Sequence, residues 1–155
     1  MEQPVNMKLS IVVLVASAVT SLSAHVMVSP PQSTAGALQK YELRVHNEAK
    51  TAATAIDLDV PDGVTVTEVT KGAGTFTTKM NGNRITVITW QIDVQPTKYV
   101  ALPFIAKNPD SATELRWTMH EHMADGSVID WSDKPGSKEK AAVTKIAKPA
   151  GAGGR

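Results

Sequence analysis

Lys40-Tyr41-Glu42-Leu43-Arg44-Val45-His46 alternates polar and apolar residues with a period of two. A helix would place apolar residues every three or four positions, so this stretch reads as a β-strand with one face on a core and one toward water. The same beat returns at Ile56, Leu58 and Val60, at Val64 and Val66, and at Leu115, Trp117 and Met119. Their polar alternates are Asp57 and Asp59, Thr65 and Thr67, and Arg116, Thr118 and His120. Residues 85–92 and 99–106 are apolar on both faces and read as more central strands. Pro103 removes a ladder donor from the second of them and marks an edge or a bulge. Turn-forming groups separate the strands: Pro61-Asp62-Gly63, Asn81-Gly82-Asn83, Asn108-Pro109-Asp110 and Ala124-Asp125-Gly126. Asn81-Gly82 predicts a type I′ hairpin, whose two central residues both need positive φ, and Asp125-Gly126 predicts a second tight turn. Beyond the N-terminal apolar run, only residues 48–53 favour helix. The pattern predicts an all-β protein, a single immunoglobulin/fibronectin-like or cupredoxin-like β-sandwich without internal repeats.

Composition bounds the function without proposing one. The 155 residues carry 16 Lys+Arg against 15 Asp+Glu, a formal net charge of +1, and no cysteine. One domain of this length closes a core without metals or crosslinks. Near-neutral charge argues against a nucleic-acid binder, which needs a clustered basic excess. The absent cysteine removes disulfides, thiolate metal sites and thiol nucleophiles together.

Residues 11–20, Ile-Val-Val-Leu-Val-Ala-Ser-Ala-Val-Thr, follow Lys8 and precede Ser-Leu-Ser-Ala. A basic residue, a short apolar run and a small-residue stretch make a secretory signal, here residues 1–24. The run is shorter than the roughly 20 residues that span a bilayer. Met1 to Asn6 read as an upstream extension, with Met7-Lys8 the more typical start. Cleavage after Ala24 leaves His25 as the first mature residue; cleavage after Ser23 leaves Ala24 in front of it. Removing 24 of the 155 residues leaves 131. No second apolar run of spanning length follows, and residues 148–155 read as a small, flexible tail after a domain over 25–147. The expectation is an exported, soluble periplasmic chain without a membrane anchor.

Catalysis has little to stand on. There is no nucleotide-binding glycine motif, no His-Glu-x-x-His, no nucleophile elbow and no outstanding carboxylate pair, so no catalytic residue is assigned and the chain is not read as an enzyme. The four histidines are His25, His46, His120 and His122. His46 lies on the polar face of its strand. His120 and His122 share one strand face about 7 Å apart, so they either chelate a metal or line a polar sheet face. His25 at a mature N-terminus would offer two nitrogens, amine and imidazole, from one residue, a donor set that suits Cu(II).

Further pieces carry a resemblance. They are His25-Val26 followed by Val28-Ser29-Pro30, then Tyr41-Glu42-Leu43-Arg44-Val45 leading to Asn47-Glu48, and Val60-Pro61-Asp62-Gly63-Val64. The strand 85–90, Ala106-Lys107-Asn108-Pro109, and Asp125-Gly126-Ser127-Val128-Ile129-Asp130-Trp131 complete the ordered set. Together they resemble the YcnI-like family of exported bacterial copper-binding proteins over nearly the whole mature chain. The resemblance implies a β-sandwich holding one Cu(II) per chain. It assigns His25 as a single-histidine brace, Glu48 as the carboxylate ligand and Trp131 as the aromatic wall beside the copper. It also implies a role in copper homeostasis, as chaperone or store, with periplasmic or membrane copper-transport proteins as partners and no nucleic acid.

The sequence departs from the family at several points. His46 stands where the family has proline, two residues before Glu48, so it either adds an imidazole or lines the site. His120-Glu121-His122-Met123 replaces a more aromatic segment, and with Met27 and Met119 it allows a second, softer site, against a core role for the methionines. Some relatives carry a C-terminal membrane helix with no counterpart here. Two other readings compete: a metal-free structural or adhesive sandwich, and a copper-dependent oxidase resembling lytic polysaccharide monooxygenases, which would need a second histidine at the metal.

Overall fold

The computed structural model describes residues 26–72 and 74–151. The signal-peptide reading, both cleavage positions, His25 and the last four residues of the tail lie outside them. Twelve strands are described: β1 (Val26–Ser29), β2 (Gln32–Thr34), β3 (Leu38–His46), β4 (Ala53–Asp59), β5 (Thr65–Val69), β6 (Thr75–Asn81), β7 (Arg84–Val94), β8 (Tyr99–Lys107), β9 (Thr113–Trp117), β10 (Met119–Met123), β11 (Val128–Trp131) and β12 (Ala142–Ala147). They form a four-stranded sheet β1-β3-β8-β5, a five-stranded sheet β11-β10-β4-β7-β6 and a three-stranded sheet β2-β12-β9.

Alternation sets which side chains fill the sandwich. Tyr41, Leu43 and Val45 of β3, Leu102 and Phe104 of β8, Ile56 and Leu58 of β4, and Ile88 and Trp90 of β7 are all buried. Four aromatic rings join the sheets. Tyr41 lies 5.6 Å from Phe104 and 5.3 Å from Trp117, and Phe104 lies 5.6 Å from Trp117 and 6.5 Å from Trp90. Such ring pairs add to the burial of their large apolar faces. The two segments read as central are central: β7 lies between β4 and β6, and β8 between β3 and β5. Pro103 nevertheless sits within a central strand. The β5 pairing ends at Val69↔Phe104, one residue before Pro103 is reached. The Pro103 carbonyl accepts from Thr70 N at 3.2 Å on that side, where the ladder is already ending.

Two local expectations are corrected. Residues 48–53 are not helical. Asn47 is fully buried, and its side chain competes for the backbone that a helix would use. Its Oδ1 accepts from Ala49 N at 2.9 Å, and its Nδ2 donates to Thr51 O at 2.9 Å and Val94 O at 2.8 Å. The hairpin after β6 has Gly82 and Asn83 as its two loop residues, because Asn81 pairs with Arg84. Of these only Gly82 has positive φ, at 59°. That is the pattern of a type II′ turn with glycine first, and not of type I′.

β9 and β10 are one chain that changes sheets. β9 pairs with β12 and β10 with β4 and β11. At the handover, the Thr118 carbonyl accepts from Asp59 N at 2.9 Å. Leu115, Trp117, Met119, Glu121 and Met123 all point inward along this chain.

The Tyr41 hydroxyl is buried and donates to Asn108 Oδ1 at 2.5 Å. Asn108 Nδ2 donates in turn to Ser33 Oγ and Thr34 O, each at 2.8 Å. One phenol thus ties β3 to β2 through the segment after β8. Tyr41→Phe should cost about 1–3 kcal/mol by orphaning a buried acceptor, and Asn108→Ala should cost more because Thr34 O loses its donor too. Urea unfolding midpoints of the two variants check this order.

Candidate metal centre

β3 ends at His46, and the chain turns immediately into the Asn47-anchored connection that carries Glu48. The described chain enters at Val26, which pairs with Val45, the neighbour of His46. His46, Glu48 and Ala49 meet Glu121 of β10, Ile129 and Trp131 of β11, and Glu139 of the following connection around a cavity of about 200 Å³. Three residues singled out from sequence, His46, Glu48 and Trp131, therefore lie together. Trp131 is held in place by register, since it pairs with Met119 of β10 and bridges to Glu139.

The His46 ring is oriented at both nitrogens. Nε2 lies 3.1 Å from Thr97 O, and a carbonyl can only accept, so Nε2 carries the hydrogen. Nδ1 faces Glu48 Oε1 at 3.4 Å. In a neutral ring, Nδ1 presents a lone pair toward the carboxylate, and a proton or a cation between the two relieves their repulsion. A ring nitrogen donating to a backbone carbonyl fixes the tautomer and the orientation of the ring, as it does in metal-binding histidines. Thr97 itself is strained, with φ at 68°, unusual for a β-branched residue. Its N–H donates to Asn47 O at 2.8 Å, so the strained peptide is pinned between Asn47 and His46.

Glu121 is the residue that sequence reasoning passed over. It is 2% exposed, and its Oε1 has no hydrogen-bond partner among the described residues. Burial pushes its carboxyl above the ordinary glutamate range and outweighs the hydrogen-bonding Trp131 side chain, which pulls the other way. The signal was present in the sequence: extending the inward row Leu115, Trp117, Met119 by two positions reaches Glu121. Among the described residues, no three His, Asp or Glu side chains are grouped so as to hold a metal by themselves.

A family model described as a domain of unknown function, DUF1775, matches residues 25–152. The copper-binding protein CutI of Bacillus subtilis (strain 168) is 28% identical over 128 residues, 80% of this chain. The chain spans 63% of the length of that relative. An uncharacterised protein from Nocardia farcinica, whose crystal structure reveals an immunoglobulin-like fold, matches with a TM-score of 0.67 at 22% identity. The match covers 81% of this chain and 99% of that one, and it places the sandwich among immunoglobulin-like folds.

His120 and His122 are on the other side of the sheet. His120 Nδ1 meets Asp130 Oδ1 at 2.5 Å and its Nε2 lies 3.5 Å from Asp59 Oδ2, while His122 Nε2 meets Asp57 Oδ2 at 2.8 Å. Met119 and Met123, their neighbours, are buried in the core. Alternation therefore keeps the imidazoles and these two thioethers on opposite faces, so the segment does not offer both to one ion. Burial pulls His120 down, but the Asp130 hydrogen bond and the charges of Asp59 and Asp130 outweigh it and leave the ring above the ordinary histidine value. Burial likewise raises Asp57, and the Thr89 hydroxyl and His122 outweigh that and hold it below the usual carboxylate range. A histidine with a raised folded value stabilises while protonated. The contribution is full below about pH 6.5 and is lost as pH rises through the raised value. Asp130→Asn should therefore lower the melting temperature more near pH 5 than near pH 8, in thermal melts compared at about those two values.

Proposed function

The chain belongs to the DUF1775 family, the YcnI-like family its sequence resembles, and on that premise we propose that it binds copper as an exported carrier or store, without catalysing a reaction. The observation that carries this reading is the cavity where His46, Glu48 and Trp131 converge beside the entry of β1. Likeness to CutI, itself a copper-binding protein, supports it.

In this proposal the cargo is one Cu(II) per chain, taken in the periplasm after signal cleavage at Ala24. The described donors, an imidazole and carboxylates, are those that borderline divalent ions accept, but they fall short of a closed set. His25 supplies what is missing. It precedes Val26 in the sequence, and Val26 pairs with the residue next to His46. The brace uses the His25 amine and imidazole, and Glu48 adds a negatively charged oxygen. His46 orients Glu48 from its anchored ring. Trp131 and Ile129 form an apolar wall that limits water, which strengthens charge interactions inside. The half-exposed Glu48 leaves the site open to solvent, which supports exchange of the ion with periplasmic or membrane transport proteins as partners.

Metal titration of the chain with its authentic N-terminus tests the proposal. His25→Ala should lose more than about 100-fold in Cu(II) affinity, beyond the 10–100-fold that loss of an outer-shell partner costs. One extra residue before His25 should do comparable damage by blocking the amine. Undiminished affinity in that extended chain would exclude the brace. Binding should weaken on acidification, as protons compete for an amine of pKa about 7.7–8.0 and an imidazole of about 6.5.

A further inference from the structure

Glu121 is the only charged side chain in the buried interior of the described residues. It interrupts an inward row that is otherwise Leu115, Trp117, Met119 and Met123, and its cross-strand neighbours are Ile56 and Ile129. An apolar residue would fill this place at less cost, because a buried carboxylate forfeits its hydration and the neighbouring Trp131 side chain leaves one oxygen without a partner among the described residues. That oxygen is Oε1, and the side chain lines the same cavity as His46 and Glu48.

We propose that Glu121 is the charge-balancing carboxylate of the copper site and makes it favour the doubly charged ion over the singly charged one. The inference rests on the copper reading above. A Cu(II) held by a neutral amine, a neutral imidazole and the Glu48 carboxylate retains one positive charge. In a cavity walled by Ala49, Ile129 and Trp131, that charge is poorly screened and needs a counter-charge. Glu48 is half exposed and Glu139, the third carboxylate lining the cavity, is partly exposed, so solvent weakens the fields of both. Glu121 is enclosed, so its charge, once a cation beside it offsets the cost of ionising there, is little screened by water. For Cu(I), Glu48 alone balances the charge and Glu121 adds an unneeded one. The empty protein is destabilised by the same carboxylate that the oxidised ion needs.

Glu121→Gln keeps the shape and removes the charge. In the mature full chain, competition titrations with Cu(II), and with Cu(I) under reducing anaerobic conditions, read the effect. Cu(II) affinity should fall about 10–100-fold, the scale of lost supporting partners at metal sites. Cu(I) affinity should fall much less, and the copper-free variant should melt no lower than wild type. Glu121→Met, matching its row, should behave the same way and guards against a fold-specific failure of glutamine. Equal losses for the two ions, or unchanged Cu(II) affinity in both variants, would overturn the role of Glu121 while leaving the copper site standing. A wild-type mature chain that holds neither ion would overturn the copper reading itself, and this inference with it.

Discussion

The pleat of the chain from Thr113 to Met123 decides both the core and the site. Because β9 and β10 are continuous and change sheets only at Thr118, one choice of parity governs eleven residues. With Trp117 inward, it meets Tyr41 and Phe104 from the facing sheet and donates its indole N–H to Thr144 at 3.0 Å. The same choice sends Met119 into the core, Glu121 to the cavity and both imidazoles to the outer face. A slip of one residue would exchange the two faces, burying His120 and His122 and exposing Trp117. Core packing thus pays for the placement of an acid that packing alone would reject.

Much of this was legible as periodicity. The alternations at 41–45, 56–60, 64–66 and 115–119 all became strands with the expected inward residues, and the doubly apolar segments became the inner strands of their sheets. Alternation is a local property, so a single sequence displays it. The division into three sheets is not local. β12 runs parallel to β2 more than a hundred residues earlier, and no short-range pattern announces that pairing. β6 was signalled only by the hairpin turn that follows it, because every residue from Thr75 to Asn81 is exposed and there is no buried face to alternate with. The false helix at 48–53 failed because one buried side chain, Asn47, took the backbone groups that a helix would have needed.

Site residues divide along the same line. His46 and Glu48 were readable as neighbours because two positions on one chain share a side, and their 3.4 Å approach agrees. Trp131 came from resemblance, and structure places it on the same cavity. Glu121 was hidden by its own letter. A glutamate between two histidines reads as a polar surface, although the parity of Trp117 and Met119 already assigned it inward.

The lack of cysteine sharpens what this arrangement can do. Without thiolates, and with Met119 and Met123 enclosed, the donors facing the cavity are nitrogen and carboxylate oxygen. Such donors prefer ions of higher charge, whereas thioethers and thiolates prefer the softer reduced ion. A site that discriminates by charge needs negative groups shielded from water, since exposed ones are screened and discriminate weakly. Glu48 at the rim and Glu121 in the interior therefore have different parts. In the proposed site the first would be reachable by an arriving ion, and the second is costly when no ion is there. The buried acid is a stability cost of the kind binding sites carry, and alternation along a single strand sets it between His120 and His122, one residue from each and on the opposite face.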